Sequence, residues 1–195
     1  MFLGLTGHRL KGWDCLAARV ATHAVRAEEE ARLEEALLYL ASTNQEAAIE
    51  GLLEEFTPLE AKQHHFSLEE HMETIDRVFS AASVEEVVAG LEQESSRFAS
   101  KALAALRSSS PTSLKVAFRQ IREGAELGSL GEVLAMEHRL LTRCCQDRDL
   151  YEGVRAALVD RDNRPVWSPA TLEGVTKDTV DRYFSPLEQD RELVL

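Results

Sequence analysis

Four times along this chain a serine stands just ahead of a run of apolar residues at helical spacing, and that arrangement commits most of the sequence to helix. Ser67 with Glu70, Ser83 with Glu86 and Ser129 with Glu132 share the S-x-x-E spacing. In it a hydroxyl accepts an orphan N–H of the first turn while the carboxylate reaches back towards the cap. Ser110-Pro111 sets a capping serine before a proline at the first helical position, where the missing N–H has no partner to lose. Behind these starts lie matching apolar stripes: Leu68, Met72, Ile75 and Phe79; Val84, Val87, Val88 and Leu91; Leu114, Ala117, Phe118 and Ile121; Val133, Met136, Leu140 and Cys144. Glu28 to Leu40 carries the same pattern in Leu33, Ala36, Leu37 and Leu40. Phe98 to Leu106 and Thr176 to Phe184 read as two further helices. Aromatics are 6% of the chain, so Ala, Leu and Val must build the core.

Strand signals are short. Ala21 to Val25 is one, and Ala156 to Val159, ahead of a turn at Asp160 to Arg164, is another. Two such strands cannot form an independent sheet. They are expected as a pair laid on the helical layer or as edge remnants of a larger sheet. Pro165 and Pro169 bracket Trp167 in an extended stretch. The tail after Pro186 is expected to be loose.

Charge and cysteine usage exclude several functions. The formal net charge of -12 repels phosphate backbones and anionic lipid, which argues against nucleic-acid and membrane partners. An anionic ligand would need a local group of Lys or Arg. Cys15, Cys144 and Cys145 are odd in number and include no C-x-x-C pair, so they read as small core residues of a reducing compartment. No apolar run approaches the roughly 20 residues needed to cross a bilayer. The opening Met1-Phe2-Leu3 reads as a buried helix that lacks what should precede it, and neither a signal peptide nor a transit peptide is legible.

Chemistry-bearing residues are sparse. His64, His65, Glu69 and His71 cluster, with His65 and Glu69 at i, i+4, but H-E-x-x-H is absent and an exposed loop before an acidic helix start explains them. Cys144-Cys145 on a helix reads as core rather than nucleophile. The ten glycines are never adjacent, so neither a P-loop nor a dinucleotide fingerprint exists. Asp149 to Val159 is the most unusual stretch. Gly153 inside a helical pattern costs about 1 kcal/mol relative to Ala, which points to close packing there. Arg155 is expected to neutralise Glu152 in a local salt bridge, or else a ligand phosphate.

Seven segments, in order, resemble the C-terminal half of the 3-hydroxyisobutyryl-CoA hydrolase family within the crotonase (enoyl-CoA hydratase/isomerase) superfamily. They are LTGHRLKGWD from Leu5, ARVATHAV from Ala18, LEEHMETIDRVFS from Leu68, SPTSLKVAFRQIREG from Ser110, EVLAMEHRL from Glu132, DLYEGVRAALVDRDNRPVW from Asp149 and VTKDTVDRYF from Val175. The SPTS, EGVRA and LTGHRLKG elements separate that family from ordinary enoyl-CoA hydratases.

The resemblance implies a thioesterase of valine breakdown, mitochondrial in its usual setting, acting on a CoA thioester and using no separate cofactor. It implies a mainly α fold: the C-terminal helical layer of a crotonase-like α/β fold, with one or two short remnant strands and the spiral core largely missing. Residues 1–25 would be a remnant of that core, a helix plus a short strand, and residues 26–195 the helical C-terminal region. In the family a Gly-rich oxyanion segment and the catalytic Glu and Asp precede the LTGxRLKG stretch, with which this chain nearly begins. No catalytic, cofactor-binding or metal residue is therefore assigned to it. By the same resemblance Glu152 and Arg155 pack beneath the active site.

The expectation is a truncated hydrolase, inactive alone, whose acyl-CoA substrate belongs to the full-length parent. The alternative is a non-catalytic helical module, since inward faces without partners favour self-association or pairing with full-length subunits. An unrelated helical binding protein requires the seven-segment match to be chance.

Overall fold

The computed structural model describes residues 1–188 and 191–193, without the side chains of Glu46 and Lys62. In chain order its α-helices are α1 (Phe2–Thr6), α2 (Asp14–Ala17), α3 (Glu30–Ser42), α4 (Ile49–Phe56), α5 (Leu59–Lys62), α6 (Met72–Phe79), α7 (Val84–Glu92), α8 (Arg97–Ser108), α9 (Pro111–Glu126), α10 (Leu130–Cys144), α11 (Arg148–Val154) and α12 (Lys177–Phe184). Two compact units result. One joins Met1–His8 to Glu73–Leu195, and the other is Arg9–Met72.

In the larger unit the serine caps decide where helices start. Ser83 Oγ accepts the N–H of Glu86 at 3.1 Å, and Ser129 Oγ accepts that of Glu132 at 3.2 Å. The returning carboxylates overshoot by one residue. Glu86 takes the N–H of Ala82 and Glu132 that of Gly128. Ser110 caps α9 through the N–H of Ser113, with Pro111 at its first position. Ser96 caps α8 through Ala99; no glutamate follows at the third position, so no box announces it.

Two apolar clusters follow from the stripes. Val84, Val87 and Leu91 of α7 and Ala99, Ala102 and Leu106 of α8 are all buried, and the two helices pack together. Val116, Met136, Leu140, Val175, Val180 and Tyr183 form the second cluster, drawn mainly from α9, α10 and α12. Phe2 of α1 packs edge-on against Phe79 at 5.1 Å and lies 5.3 Å from Phe98. Two residues placed on inward stripes are partly outside: Ile121 and Met72 are 37% and 36% exposed. Val116 and Val78, off those stripes, are buried instead. Helix α9 packs on α1, α7, α10 and α12, so it buries more than one narrow face.

In the smaller unit α3 packs against α4. Leu33, Ala36, Leu37 and Leu40 form its inner side but are half-buried, and α3 has no fully buried residue. Phe56 of α4 is buried, with the Arg32 guanidinium 5.0 Å above its ring.

Three expectations are corrected. No strand occurs among the described residues. Residues 21–25 are irregular, and His23 turns to Glu50 at 3.3 Å. Residues 156–159 belong to a π-helical turn, Arg155–Val159, closed by the Asp160 N–H on the Arg155 carbonyl at 2.8 Å. Without a ladder partner, a run of four or five residues has no reason to stay extended.

Ser67 does not cap a helix. A 3₁₀ turn, Glu69–His71, leads into α6, and Ser67 bonds to Asp14 instead. The tail is also fastened. Leu187 is buried, Glu192 pairs with Arg139 of α10, and the Arg191 carbonyl accepts from His138 Nε2 at 3.0 Å.

Candidate functional site

The densest polar arrangement in the larger unit is centred on Arg155, at the junction of α11 and the π-turn. Its guanidinium grips Glu152 through both carboxylate oxygens at 2.8 and 3.0 Å. It also reaches Asp160 at 2.6 Å, Asp162 at 2.9 Å and the Arg164 carbonyl at 3.1 Å. The planar fork of donors suits this bidentate arrangement, which an ammonium could not copy. Glu152 also accepts the Val166 N–H at 2.7 Å. Its carboxyl is held down at about 2, first by the bonds from Arg155 and then by that N–H. The Arg155 pKa is raised, with Glu152 the largest cause.

The loop that this node ties down has an unusual backbone. Arg161 and Asn163 adopt φ of 56° and 52°, a left-handed conformation that residues with a Cβ seldom take. The ties from Arg155 to both sides of the loop hold it there. Exchanging Arg155 for Met keeps an unbranched stem and deletes every bond that the guanidinium makes. Amide hydrogens of residues 160–164 and 166 should then exchange markedly faster while those of α7 and α8 stay unchanged, and Arg155→Lys should not restore protection. Unaltered exchange across 160–164 and 166 would show that the node does not hold the loop.

Beside the node runs an open groove of about 580 Å³ between α11 and the Trp167 stretch. Leu150, Val154, Leu158 and Trp167 give it apolar walls, with Ser110 and Asp149 below. Gly153 lies close to Trp167 here: a Cβ would stand 3.3 Å from the indole, a tight contact that the ring would have to ease by a few tenths of an ångström. Close packing was expected at this glycine, and its partner is the tryptophan rather than a second helix. The indole N–H donates to the Ser108 carbonyl at 3.0 Å, and Asp149 accepts from Ser168 N–H at 3.0 Å and Ser110 Oγ at 2.6 Å. The Ser110 hydroxyl is thus engaged twice, as donor to Asp149 and as the α9 cap, and is not poised as a nucleophile.

In the smaller unit Asp14, 7% exposed, is the hub of a second arrangement. It accepts the Ser67 N–H at 3.0 Å, the Ser67 hydroxyl at 2.7 Å and His64 Nε2 at 3.0 Å. Those bonds, led by the Ser67 N–H, hold its carboxyl at about 2 despite burial. Asp, His and Ser are the residue types of a nucleophilic triad, but the connection is different. Serine and histidine both address the carboxylate, whereas catalysis needs the serine to donate to the imidazole. This cluster orients a loop. Its partners lie some fifty positions from Asp14, and no local pattern in the sequence could have found them.

The remaining sequence candidates separate. His65 pairs with Glu69 at 3.2 Å in the open, away from the His64 bond to Asp14. Among the described residues no group of three or more His, Cys, Asp or Glu could hold a metal ion. Cys144 lies at the edge of the second apolar cluster with its pKa raised, chiefly by burial, while Cys145 is exposed. Tyr183, buried beside it, gives its hydroxyl to Asp147, which Arg182 also grips at 2.7 Å through both oxygens. No helix among the described residues is long and apolar enough to cross a membrane.

Comparison with known proteins places this arrangement. The family model described as enoyl-CoA hydratase/isomerase matches residues 1–184. Among curated proteins, the mitochondrial 3-hydroxyisobutyryl-CoA hydrolase of Danio rerio is 47% identical over 197 residues, which take in 100% of this chain and 51% of that protein. The Homo sapiens protein of the same name is 46% identical, over 95% of this chain and 48% of its own length. Among solved structures, a carnitinyl-CoA dehydratase from Mycobacterium thermoresistibile superposes with a TM-score of 0.79 at 28% identity, covering 97% of this chain and 51% of that one. An enoyl-CoA hydratase from Rhodobacter sphaeroides gives 0.76 at 29% identity, over 100% and 53%. The chain belongs to the enoyl-CoA hydratase/isomerase family, and it spans about half the length of the curated 3-hydroxyisobutyryl-CoA hydrolases that it matches.

Proposed function

We propose that this chain is the helical portion of a mitochondrial enzyme that hydrolyses 3-hydroxyisobutyryl-CoA, and that by itself it does not turn the thioester over. The carrying observation is the 47% identity to such a hydrolase across the whole of this chain, over 51% of the relative's length. On this reading residues 1–25 are a remnant of the crotonase core of the complete enzyme, and residues 26–195 are the helical C-terminal region that lies over it.

The chemistry agrees with a non-catalytic role for these residues. Attack on a thioester makes the carbonyl oxygen anionic, and preorganised N–H donors must converge on it. A carboxylate must also be free to act as base or nucleophile. Asp14 and Glu152 have the lowest-held carboxyls here, and each is enclosed by its own donors. A carboxylate so engaged at about 2 is a poor proton acceptor near neutral pH. The Arg155 node then serves as a strut: it fixes the loop and Trp167 in the layer that faces the acyl-CoA.

The test measures thiol release from 3-hydroxyisobutyryl-CoA with the purified chain, alone and beside the complete hydrolase. The complete enzyme should turn over and the chain should stay at background. Turnover by the chain in a preparation free of the complete enzyme would overturn the proposal.

A second reading, a helical module that associates with complete subunits, is favoured by the exposure of Leu141, Leu158, Val159 and Val166, each above 60%. Co-purification of the chain with the complete hydrolase would support it, and failure to co-purify would remove it.

A further inference from the structure

The smaller unit carries a groove that the thioesterase reading does not use. It lies between α3 and α4, has a volume of about 690 Å³, and is lined by Ala36, Tyr39, Leu40, Gly51 and Leu52, with the charged residues Arg32, Glu35 and Glu55. Tyr39 is 63% exposed, as is neighbouring Leu38 at 64%. The apolar stripe of α3 is only half-covered, and a helix of 13 residues is marginal in water without a face to bury.

Gly51 gives an independent indication. It sits inside the continuous helical run 46–56, where glycine is less stable than alanine by about 1 kcal/mol. Its backbone is not left-handed, and a Cβ placed on it would meet nothing within 4 Å. No contact within the chain therefore calls for glycine. What the missing side chain does provide is open floor, on which another backbone or a bulky side chain can lie close to α4.

The charge around the groove selects the occupant. The unit holds thirteen Asp and Glu against six Lys and Arg. Among the described residues Glu34, Glu35 and Glu55 make no ion pair, and α4 has no basic residue, while Arg32, the basic residue in the lining, is occupied by Glu29 at 3.3 Å and by the Phe56 ring. A second copy of the chain would bring the same carboxylates against themselves. We propose that this groove docks a basic amphipathic helix of a partner protein. Its apolar ridge would lie over Gly51 and Leu40, and its Lys or Arg residues would meet Glu35 and Glu55. Helix-in-groove recognition supplies burial, and the opposite charges supply orientation and on-rate.

The test titrates the full chain against a fluorescein-labelled synthetic helix with leucines at i, i+3, i+4 and i+7 and arginine elsewhere, followed by anisotropy. A second peptide has glutamate in place of every arginine. Saturable binding of the arginine helix, weakening as salt is raised, is the expected result, with none for the glutamate helix. Gly51→Leu fills the floor and should weaken binding about tenfold or more while leaving helix content and thermal midpoint equal or higher. Glu35→Lys with Glu55→Lys should weaken it by a similar factor and flatten the salt dependence. Absence of saturable binding overturns the proposal, as does equal binding of the glutamate helix or indifference to both variants. So does sedimentation showing a self-associated chain that Gly51→Leu converts to monomer, which would make a second copy the occupant.

Discussion

Leu106→Ala will destabilise the larger unit by about 2–5 kcal/mol. Leu106 is 1% exposed and lies in the apolar layer of α7 and α8, with Val87 and Ala99 at 0% and Leu91 at 1%. On the same face of α8 the residues one and two turns earlier are short. Alanines at 99 and 102 cannot reach into the vacated volume, so a void is left rather than refilled. A loss of this size is a large share of the 5–15 kcal/mol typical of a domain. Ile121→Ala is the internal comparison. At 37% exposed, Ile121 already meets water and its truncation should cost well under half as much. Urea unfolding of the two variants decides the point. Equal midpoints would mean that the layer of α7 and α8 is not the unit's centre of stability.

In the smaller unit the leading determinant is a charge. Asp14→Asn keeps the shape of the side chain and removes its anionic acceptors. Oδ1 accepts from the Ser67 N–H and His64 Nε2 and Oδ2 from the Ser67 hydroxyl, so the new NH₂ meets either that hydroxyl or both Oδ1 donors, and in each case the ionised acceptor is gone. At pH 7 the Ser67 amide, now protected by Asp14, should exchange much faster in the variant. The pH dependence has a definite direction. The Asp14 carboxyl lies at about 2 in the folded chain against 3.8 without these contacts. Its contribution is therefore complete above the higher value and is lost as pH falls through the lower one. The gap between wild type and variant should stay constant from pH 7 to about pH 4, then close towards pH 2. A gap that persists unchanged at pH 2, or one that is missing at pH 7, would show that the carboxylate does not fasten this loop.

What could be read in advance was whatever neighbours in sequence decide. Ser83, Ser110 and Ser129 cap their helices because every partner lies within the next turn. Glu152 and Arg155 meet because three positions of helix bring them together. Ser67 had the same local spacing as Ser83 and was misread. A buried carboxylate some fifty positions earlier offers its N–H and hydroxyl an ionised acceptor, and a charged acceptor outcompetes a capping role. The two strand expectations failed for a related reason. Apolar runs of four or five residues commit to neither state alone, and residues 156–159 follow α11 into a π-turn because Arg155 draws Glu152, Asp160 and Asp162 around one point. Of that node, sequence gives the first pair and misses the two aspartates. The tail gave no periodic signal, and its anchorage depends on Arg139 and His138 of a distant helix.

The interleaving of the two units sets an order on biosynthesis. Met1–His8 belongs with Glu73–Leu195, while everything between forms its own compact body. A ribosome delivers Phe2 and Leu5 ahead of that body, yet Phe79 and Phe98, the rings on which Phe2 rests, emerge only after it is complete. For that interval the apolar segment around Phe2 waits without its partners, and nascent-chain chaperones can hold it. Slowing translation beyond codon 72 lengthens the interval, and speeding it shortens the exposure.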